Sequence, residues 1–170
     1  GKTIGKVGAG AMGKGVAAQC KAFGCRVIAY NRSQVTDPVF DAQVTLDELL
    51  TQADIVSLHC PLTPQTQGMI GANELGKMKP QALLINTARG AVVDSAALAQ
   101  ALQDGTIAGA ACDVFESEPP LSADHPLLHA PNTLLTPHIA FASAESMEQR
   151  ADIVFDNLYA WLDGKQIHAV

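Results

Sequence analysis

The sequence contains few charged residues, few aromatic residues and no cluster of positively charged residues. Of its 170 residues, 16% are charged and 5% aromatic, and 11 Lys and Arg stand against 17 Asp and Glu. The net charge of −6, without a run of Lys or Arg, excludes a surface built for nucleic acid, because neutralising phosphates requires clustered positive charge. No apolar run approaches the ~20 residues of a membrane-spanning helix, and no signal-peptide pattern opens the chain.

Paired cysteines are also missing. Cys20, Cys25, Cys60 and Cys112 contain no C-x-x-C spacing, which disfavours a disulfide framework and predicts a reducing, cytoplasmic location. No His/Cys spacing points to a metal site, so we expect none. Hydrophobic residues make up 48% of the chain, enough for the core of a globular domain.

Apolar runs of strand length alternate with amphipathic stretches of helix length. Several runs are nearly continuous in Val, Ile, Leu and Ala, which is typical of parallel strands buried on both faces. The predicted strands are 3–8, 26–30, 54–59, 82–87, 107–114 and 133–136. The predicted helices are 11–23, 46–52, 73–78, 95–104 and 143–163. This alternation predicts an α/β fold with a doubly wound parallel sheet, whose ligands bind at the carboxyl ends of the strands.

Local signals support these boundaries. Thr45 and Glu48 have the spacing of a capping box, in which each side chain caps a backbone N–H of the other residue. Gly105 and Gly164 stand where two helices should end.

A glycine-rich motif joins the first strand to the first helix. Gly8, Gly10 and Gly13 match G-x-G-x-x-G, with Ala11 and Met12 between the last two. In this context the first two glycines permit a tight turn and close approach to a pyrophosphate, and the third permits close helix–strand packing. The N-terminus of the helix then offers free N–H groups to the phosphates. A glycine-rich turn without a ligand is the alternative interpretation.

The residues at the end of the second strand indicate whether such a domain prefers NAD or NADP. NAD sites usually place Asp or Glu there for the ribose 2′-hydroxyl, whereas this chain has Asn31, Arg32 and Ser33. Arg32 can pair with a 2′-phosphate, and Asn31 and Ser33 can donate hydrogen bonds to it. The pattern favours NADP over NAD, and a solvated Arg32 is the alternative.

Lys6 conflicts with its predicted strand, whose two faces should both be buried. An unpaired ammonium is costly to bury, so we expect Lys6 to reach towards a strand end or edge.

Three later strand ends carry polar segments, 86–90, 113–119 and 136–139, which should converge beside the glycine motif. They supply Arg89, the carboxylates Asp113, Glu116 and Glu118, and His138. Arg binds a carboxylate through two hydrogen bonds, and His transfers protons near neutral pH. The other histidines, His59, His125, His129 and His168, have no converging partner and are interpreted as structural or exposed.

Segments 83–94, 113–119 and 136–140 resemble the three signatures of the D-isomer-specific 2-hydroxyacid dehydrogenases, and 54–66 resembles the cofactor loop of that family. The resemblance covers about 1–161 and implies a Rossmann-like fold. It also implies that Arg89 anchors the substrate carboxylate and carbonyl, that Glu118 orients His138, and that His138 is the acid/base. Glu116 competes with Glu118 for the carboxylate role, and only the motif favours Glu118.

By the same resemblance, Asp113 binds the nicotinamide carboxamide, and a longer set of residues contacts the dinucleotide. That set is Gly8, Gly10, Ala11, Met12, Gly13, Asn31, Arg32, Ser33, Cys60, Pro61, Thr66, Thr87, Ala88, Arg89 and His138. Many family members carry Asp where this chain has Asn31.

Members of the family have two domains and about twice this length, so residues 1–170 resemble the cofactor domain alone, without the substrate domain. Two functions follow. One is an NAD(P)-dependent oxidoreductase acting on a 2-hydroxy or 2-oxo acid, and the other is a dinucleotide-binding module without useful turnover. The family also implies a homodimer formed through this domain. Ile153, Val154, Leu158 and Trp161 recur at helical spacing in the last helix and are predicted to be core or interface.

Overall fold

The structure is a computed structural model that describes residues 1–117 and 120–168. The predicted catalytic residue Glu118 therefore lies outside the described residues. The chain divides into two compact units, Gly1–Pro137 and His138–Val170, which we describe separately.

The first unit is built on one parallel sheet, with seven strands among the described residues. The strands are β1 (Thr3–Val7), β2 (Arg26–Tyr30), β3 (Ala42–Gln43), β4 (Ile55–Leu58), β5 (Leu83–Asn86), β6 (Gly109–Cys112) and β7 (Thr133–Leu135). Their order across the sheet is β3-β2-β1-β4-β5-β6-β7, and every pairing is parallel. The predicted doubly wound, Rossmann-like α/β fold is confirmed.

Four α-helices lie among the described residues of this unit: α1 (Ala11–Ala22), α2 (Leu46–Gln52), α3 (Ala72–Leu75) and α4 (Ser95–Gln103). The Thr45–Glu48 capping box is present at the start of α2. At α4, the Asp94 carboxylate accepts hydrogen bonds from the N–H groups of Ala96 and Ala97. Gly105 follows α4 with φ +68°, in the left-handed region that favours glycine.

Among the described residues, the predicted strands and α-helices match the observed ones to within a few residues, with one omission. β3 has two residues, which pair with Ile28 and Ala29 of β2. A strand this short produces no recognisable alternation of apolar and polar residues, so the sequence pattern missed it.

The larger core lies on the face of the sheet where α2 packs. Ile28, Val56 and Leu84 are fully buried there. A Cβ placed on Gly5 would lie 2.5 Å from Cδ2 of Leu49, so α2 reaches β1 because this strand has no side chain at that point. A smaller cluster around Ala17 of α1 packs on the opposite face.

The second unit contains one helix, α5 (Ala144–Leu162), among its described residues. Ser143 caps it by accepting a hydrogen bond from the N–H of Ser146. None of the residues of α5 is buried. Ile153, Val154, Leu158 and Trp161 are all exposed, so the core interpretation of these side chains is wrong and an interface remains a prediction. No helix of the described chain combines the length and apolarity needed to cross a membrane.

Candidate functional site

The glycine motif forms a tight turn between β1 and α1. Gly8 has φ +104°, and a Cβ there would lie 2.8 Å from the carbonyl carbon and oxygen of His59. A Cβ on Gly13 would lie 2.3 Å from the carbonyl oxygen of Gly8. Both positions therefore require glycine, the first for the turn and the second for the close packing of α1 on β1.

Gly10 is different, because nothing in the fold requires it to be glycine. Its backbone is extended, with φ −72° and ψ −170°, and a Cβ there would meet no atom of the described chain within 4 Å. Gly10 caps α1 without a side-chain acceptor, so the N–H groups of the first turn remain available to an anion. Ala11 and Met12 are exposed beside it. The open space above Gly10 fits the pyrophosphate of a dinucleotide.

We expect Gly10→Ala to weaken NAD(P)H binding while leaving stability unchanged. The added methyl group enters the space that a pyrophosphate would occupy and meets no atom of the described chain, so the Kd should rise by about tenfold or more. Titration of NAD(P)H fluorescence and thermal unfolding measure the two effects. Gly15→Ala is the matched control, since Gly15 also has open space around its Cβ position but lies inside α1, away from the turn. An unchanged Kd for Gly10→Ala would place the dinucleotide elsewhere.

The loop after β2 is organised by side-chain hydrogen bonds. Asn31 Oδ1 accepts a hydrogen bond from the N–H of Ala9 in the glycine turn, at 3.2 Å, and Asn31 Nδ2 donates to Ser33 Oγ at 2.9 Å. Arg32 is exposed and makes no hydrogen bond or ion pair with any described residue. Of the three residues predicted here, Arg32 is thus the side chain left available to a ligand.

Gln43 of β3 holds this loop in place, and the sequence analysis missed it. Its Nε2 donates to the carbonyl oxygens of Asn31 at 3.1 Å and Ser33 at 3.0 Å. Its Oε1 accepts from the N–H of Val35 at 2.8 Å. The signal was hidden because β3 itself was not recognised.

A buried polar cluster lies below the glycine turn. Lys6 is only 1% exposed, so the expectation that its ammonium reaches a strand end or edge is wrong. It faces Ser57 across the β1–β4 pair, and Ser57 Oγ lies 2.8 Å from His59 Nε2. Burial, and then the charge of Lys6, lowers the pKa of His59 to about 4. Lys6 has no hydrogen bond or ion pair to a described residue, and burial lowers its pKa too.

The low pKa of His59 makes stability depend on pH. An unfolded histidine binds its proton near pH 6.5, while folded His59 resists it until about pH 4. Stability is therefore full above pH 6.5 and falls as the pH drops towards 4, by at most about 3 kcal/mol. Urea unfolding at pH 7 and pH 5 measures the loss. His59→Gln should lose less stability than the wild type between pH 7 and pH 5. An identical loss in the variant would show that His59 is not the source of the pH dependence.

The loop after β4 holds the predicted cofactor residues Cys60, Pro61 and Thr66. Thr66 Oγ1 donates to the carbonyl oxygen of Pro61 at 2.6 Å and accepts from the N–H of Thr63 at 2.8 Å. Thr66 therefore shapes the loop. Cys60 is half-buried at its start, and burial raises the pKa of its thiol.

Arg89 projects from a turn at the end of β5 that is folded around Asn86. Buried Asn86 accepts from the N–H of Ala88 and donates to the carbonyl oxygen of Arg89, both at 3.1 Å. One guanidinium nitrogen of Arg89 donates to the carbonyl oxygen of Ala88 at 2.6 Å. Thr87 and Arg89 are exposed, so the remaining donors of the guanidinium can reach a ligand.

Hydrogen bonds join the ends of β5, β6 and β7. The N–H of Asp113 donates to the carbonyl oxygen of Asn86 at 2.9 Å, and the buried Asp113 carboxylate accepts from Thr136 Oγ1 at 2.5 Å. Asp113 also takes part in at least one further polar or electrostatic interaction. His138, two residues after Thr136, opens the second unit with φ +53°. Within that unit its ring meets the edge of Phe141, with ring centres 6.0 Å apart.

Glu116, the competitor of Glu118, is already engaged. Ser95 Oγ donates to Glu116 Oε2 at 2.9 Å, and His125 Nε2 lies 3.3 Å from Glu116 Oε1. Burial acts to raise the pKa of Glu116, but hydrogen bonds from its own N–H and from Ser95, together with the nearby His125, outweigh it and lower the pKa. His59 and His125 thus have polar neighbours, which the sequence did not reveal, and both lie within the fold, in agreement with the structural interpretation.

Comparison with known proteins identifies the family. The family model described as D-isomer specific 2-hydroxyacid dehydrogenase, NAD binding domain, matches residues 1–140. The chain belongs to this family.

Three members of the 2-hydroxyacid dehydrogenase family show the extent of the match. A glycerate dehydrogenase of Methylorubrum extorquens is 48% identical over 100% of this chain and 53% of its own length. The crystal structure of D-lactate dehydrogenase with NAD+ from Lactobacillus jensenii has a TM-score of 0.90 at 35% identity, over 99% of this chain and 55% of that one. The crystal structure of an NADPH-dependent glyoxylate/hydroxypyruvate reductase from Sinorhizobium meliloti has a TM-score of 0.90 at 37% identity, over 100% of this chain and 53% of that one. The chain spans about half the length of these relatives.

Among the residues of this dehydrogenase domain that sequence reasoning missed, Asn86 has the clearest role, because it shapes the turn that presents Arg89. Its signal was an amide at the end of an apolar run, directly before the Thr-Ala-Arg-Gly segment. An Asn side chain commonly bonds to the backbone two residues further on, which is the contact it makes with Ala88.

Proposed function

We propose that this chain is the dinucleotide-binding half of an NAD(P)-dependent oxidoreductase that transfers hydride between nicotinamide and a 2-hydroxy or 2-oxo acid. The observation that carries the proposal is a shared sheet edge. The glycine turn, the Arg89 turn and Asp113 all follow carboxyl ends of strands of one parallel sheet. A dinucleotide bound at Gly10 would extend along this edge.

Each residue has a distinct role in the proposed reaction. Arg89 binds the substrate carboxylate through two donors and polarises the neighbouring carbonyl. His138 gives a proton to the carbonyl oxygen in reduction and takes it back in oxidation. Glu118 orients His138, and Asp113 binds the carboxamide of the cofactor. The nicotinamide of a bound dinucleotide would supply the hydride.

The favoured cofactor is NADP. The unpartnered Arg32 supports this preference, because a guanidinium pairs with a 2′-phosphate. We expect NADPH to bind more tightly than NADH, and Arg32→Gln to weaken NADPH binding about tenfold while leaving NADH unchanged. Fluorescence titration with both cofactors measures this, and tighter NADH binding would contradict the preference.

The favoured substrates are small 2-oxo acids of the glyoxylate or hydroxypyruvate type, the chemistry that the name of the Sinorhizobium meliloti reductase describes. Oxidation of NADPH in the presence of several 2-oxo acids tests this directly. A binding module without useful turnover is the second candidate. Cofactor binding without turnover would support the module, whereas turnover would support the enzyme.

We also propose a homodimer in the cytoplasm. The exposed apolar side chains of α5 support an interface, and four free thiols suit a reducing compartment. A monomeric mass by light scattering at micromolar concentration would contradict the dimer.

A further inference from the structure

Cys20 and Cys25 lie on either side of the C-terminal end of α1, in a turn with defined geometry. The N–H of Cys25 donates to the carbonyl oxygen of Cys20 at 3.1 Å, and the N–H of Gly24 donates to that of Lys21 at 2.9 Å. Gly24 between them has φ +73°. These two hydrogen bonds and the left-handed glycine form a Schellman motif, in which Cys20 and Cys25 occupy the two positions whose side chains commonly touch.

The backbone holds the two cysteines within reach of a disulfide. With the hydrogen bond at 3.1 Å, ordinary bond lengths keep the two Cα atoms at most about 7 Å apart. Disulfides span Cα separations of ~4.4–6.8 Å. Because the path from one Cα to the other through the hydrogen bond is bent, the actual Cα–Cα distance is shorter than this maximum and falls within the range of disulfides.

Both side chains belong to the layer between α1 and the sheet. Cys20 packs against the small cluster that contains Val27 and Ala29 of β2. Cys25 precedes Val27 by two residues, so the alternation of an extended chain directs it to the same face. Both thiols are half-buried, which leaves them accessible to a small reagent.

The electrostatic surroundings of the cysteines differ. The buried Lys6 of β1 interacts electrostatically with Cys20: burial lowers the pKa of Lys6, and the charge of a Cys20 thiolate acts against that shift. Burial raises the pKa of the Cys60 thiol and raises that of Cys112 to about 11, which disfavours the thiolate form of these two cysteines.

We propose that Cys20 and Cys25 form a reversible dithiol–disulfide site that exchanges with small-molecule disulfides. One protein thiolate attacks a sulfur of glutathione disulfide and releases one glutathione thiolate. The second protein thiol loses its proton and displaces the second glutathione, closing the Cys20–Cys25 bond. The two protein thiols lose two electrons and two protons, and glutathione disulfide gains both to become two molecules of glutathione. The product links the end of α1 to the start of β2.

Tryptic digestion provides a sharp test. Cleavage after Lys14, Lys21 and Arg26 puts Cys20 in peptide 15–21 and Cys25 in peptide 22–26. The folded chain is treated with glutathione disulfide, its remaining thiols are alkylated, and it is digested without reductant. We expect the two peptides as one linked species that separates on reduction, from protein that runs as a monomer on a non-reducing gel. Cys60 and Cys112 should be recovered alkylated.

Two controls separate the effect of the fold from simple proximity in sequence. Cys20→Ser and Cys25→Ser should each give a glutathione adduct on the remaining thiol and no linked pair. The linked pair should form at least about tenfold more from folded protein than from protein in concentrated urea. Glutathione adducts on both cysteines without a linked pair, or equal yields with and without urea, would overturn the proposal.

Discussion

Gly90→Ala is expected to destabilise the first unit by more than about 4 kcal/mol. A Cβ at this position would lie 1.9 Å from the carbonyl carbon of Phe115, 2.2 Å from its oxygen and 2.3 Å from the backbone nitrogen of Glu116. Added methylene groups in a packed core typically cost about 1–3 kcal/mol because side chains move aside. Here every close atom is backbone, so the β5 and β6 loops must separate for the methyl group to fit.

Urea unfolding followed by circular dichroism measures the effect, with Gly15→Ala as the control. Gly15 lies inside α1 with open space at its Cβ position, so alanine there should stabilise the protein by about 0.5–1 kcal/mol. The two variants add the same atom and should change stability in opposite directions. A Gly90→Ala variant as stable as the wild type would show that the two loops are not in the contact described.

The contact at Gly90 also explains how the candidate site is held together. It fixes the turn that carries Arg89 against the segment that follows Asp113. The same segment is tied down a second time, because Glu116 accepts a hydrogen bond from Ser95 of α4 and lies 3.3 Å from His125. The two contacts join β5, β6 and α4 at one place. Arg89 and Asp113 are thereby held relative to each other.

The sequence predicted the fold well where the signal is local. Apolar runs located the long strands, and the Thr45–Glu48 capping box and Gly105 marked helix ends that the structure confirms. These features depend on residues within a few positions of one another, which a single sequence displays directly. Such local patterns do not reveal β3, because this short strand is defined by its pairing with β2.

The sequence predicted less of the site, because its parts meet only after folding. Lys6 was recognised as a conflict, but its burial beside Ser57 and His59 depends on the β1–β4 register. The partnership of Glu116 with His125 and Ser95 joins segments up to 21 residues apart. The motif supplied the identities of Arg89 and Asp113, whereas the supporting roles of Asn86 and Gln43 required tertiary contacts that no local pattern contains.

The second large effect is expected at His138. His138→Asn should reduce the turnover of a 2-oxo acid by about 10²–10⁴-fold, because the variant has no group that can donate a proton to the carbonyl oxygen. Asn is the appropriate replacement, since His138 has φ +53° and Asn tolerates this left-handed conformation better than Ala does. Steady-state oxidation of NADPH with glyoxylate or hydroxypyruvate measures the loss.

A histidine at the surface provides the matched control for that loss. His129 is exposed, and its Nε2 lies 3.0 Å from the carbonyl oxygen of Ala123. It is distant in sequence from Arg89 and Asp113, and it has no role in the proposed reaction. His129→Asn should leave turnover within about twofold of the wild type, the ordinary result of a surface substitution. The affinity of His129→Asn for NADPH should also stay unchanged, because His129 is not among the residues expected to contact the dinucleotide. Equal turnover in His138→Asn and His129→Asn would assign the proton to another donor.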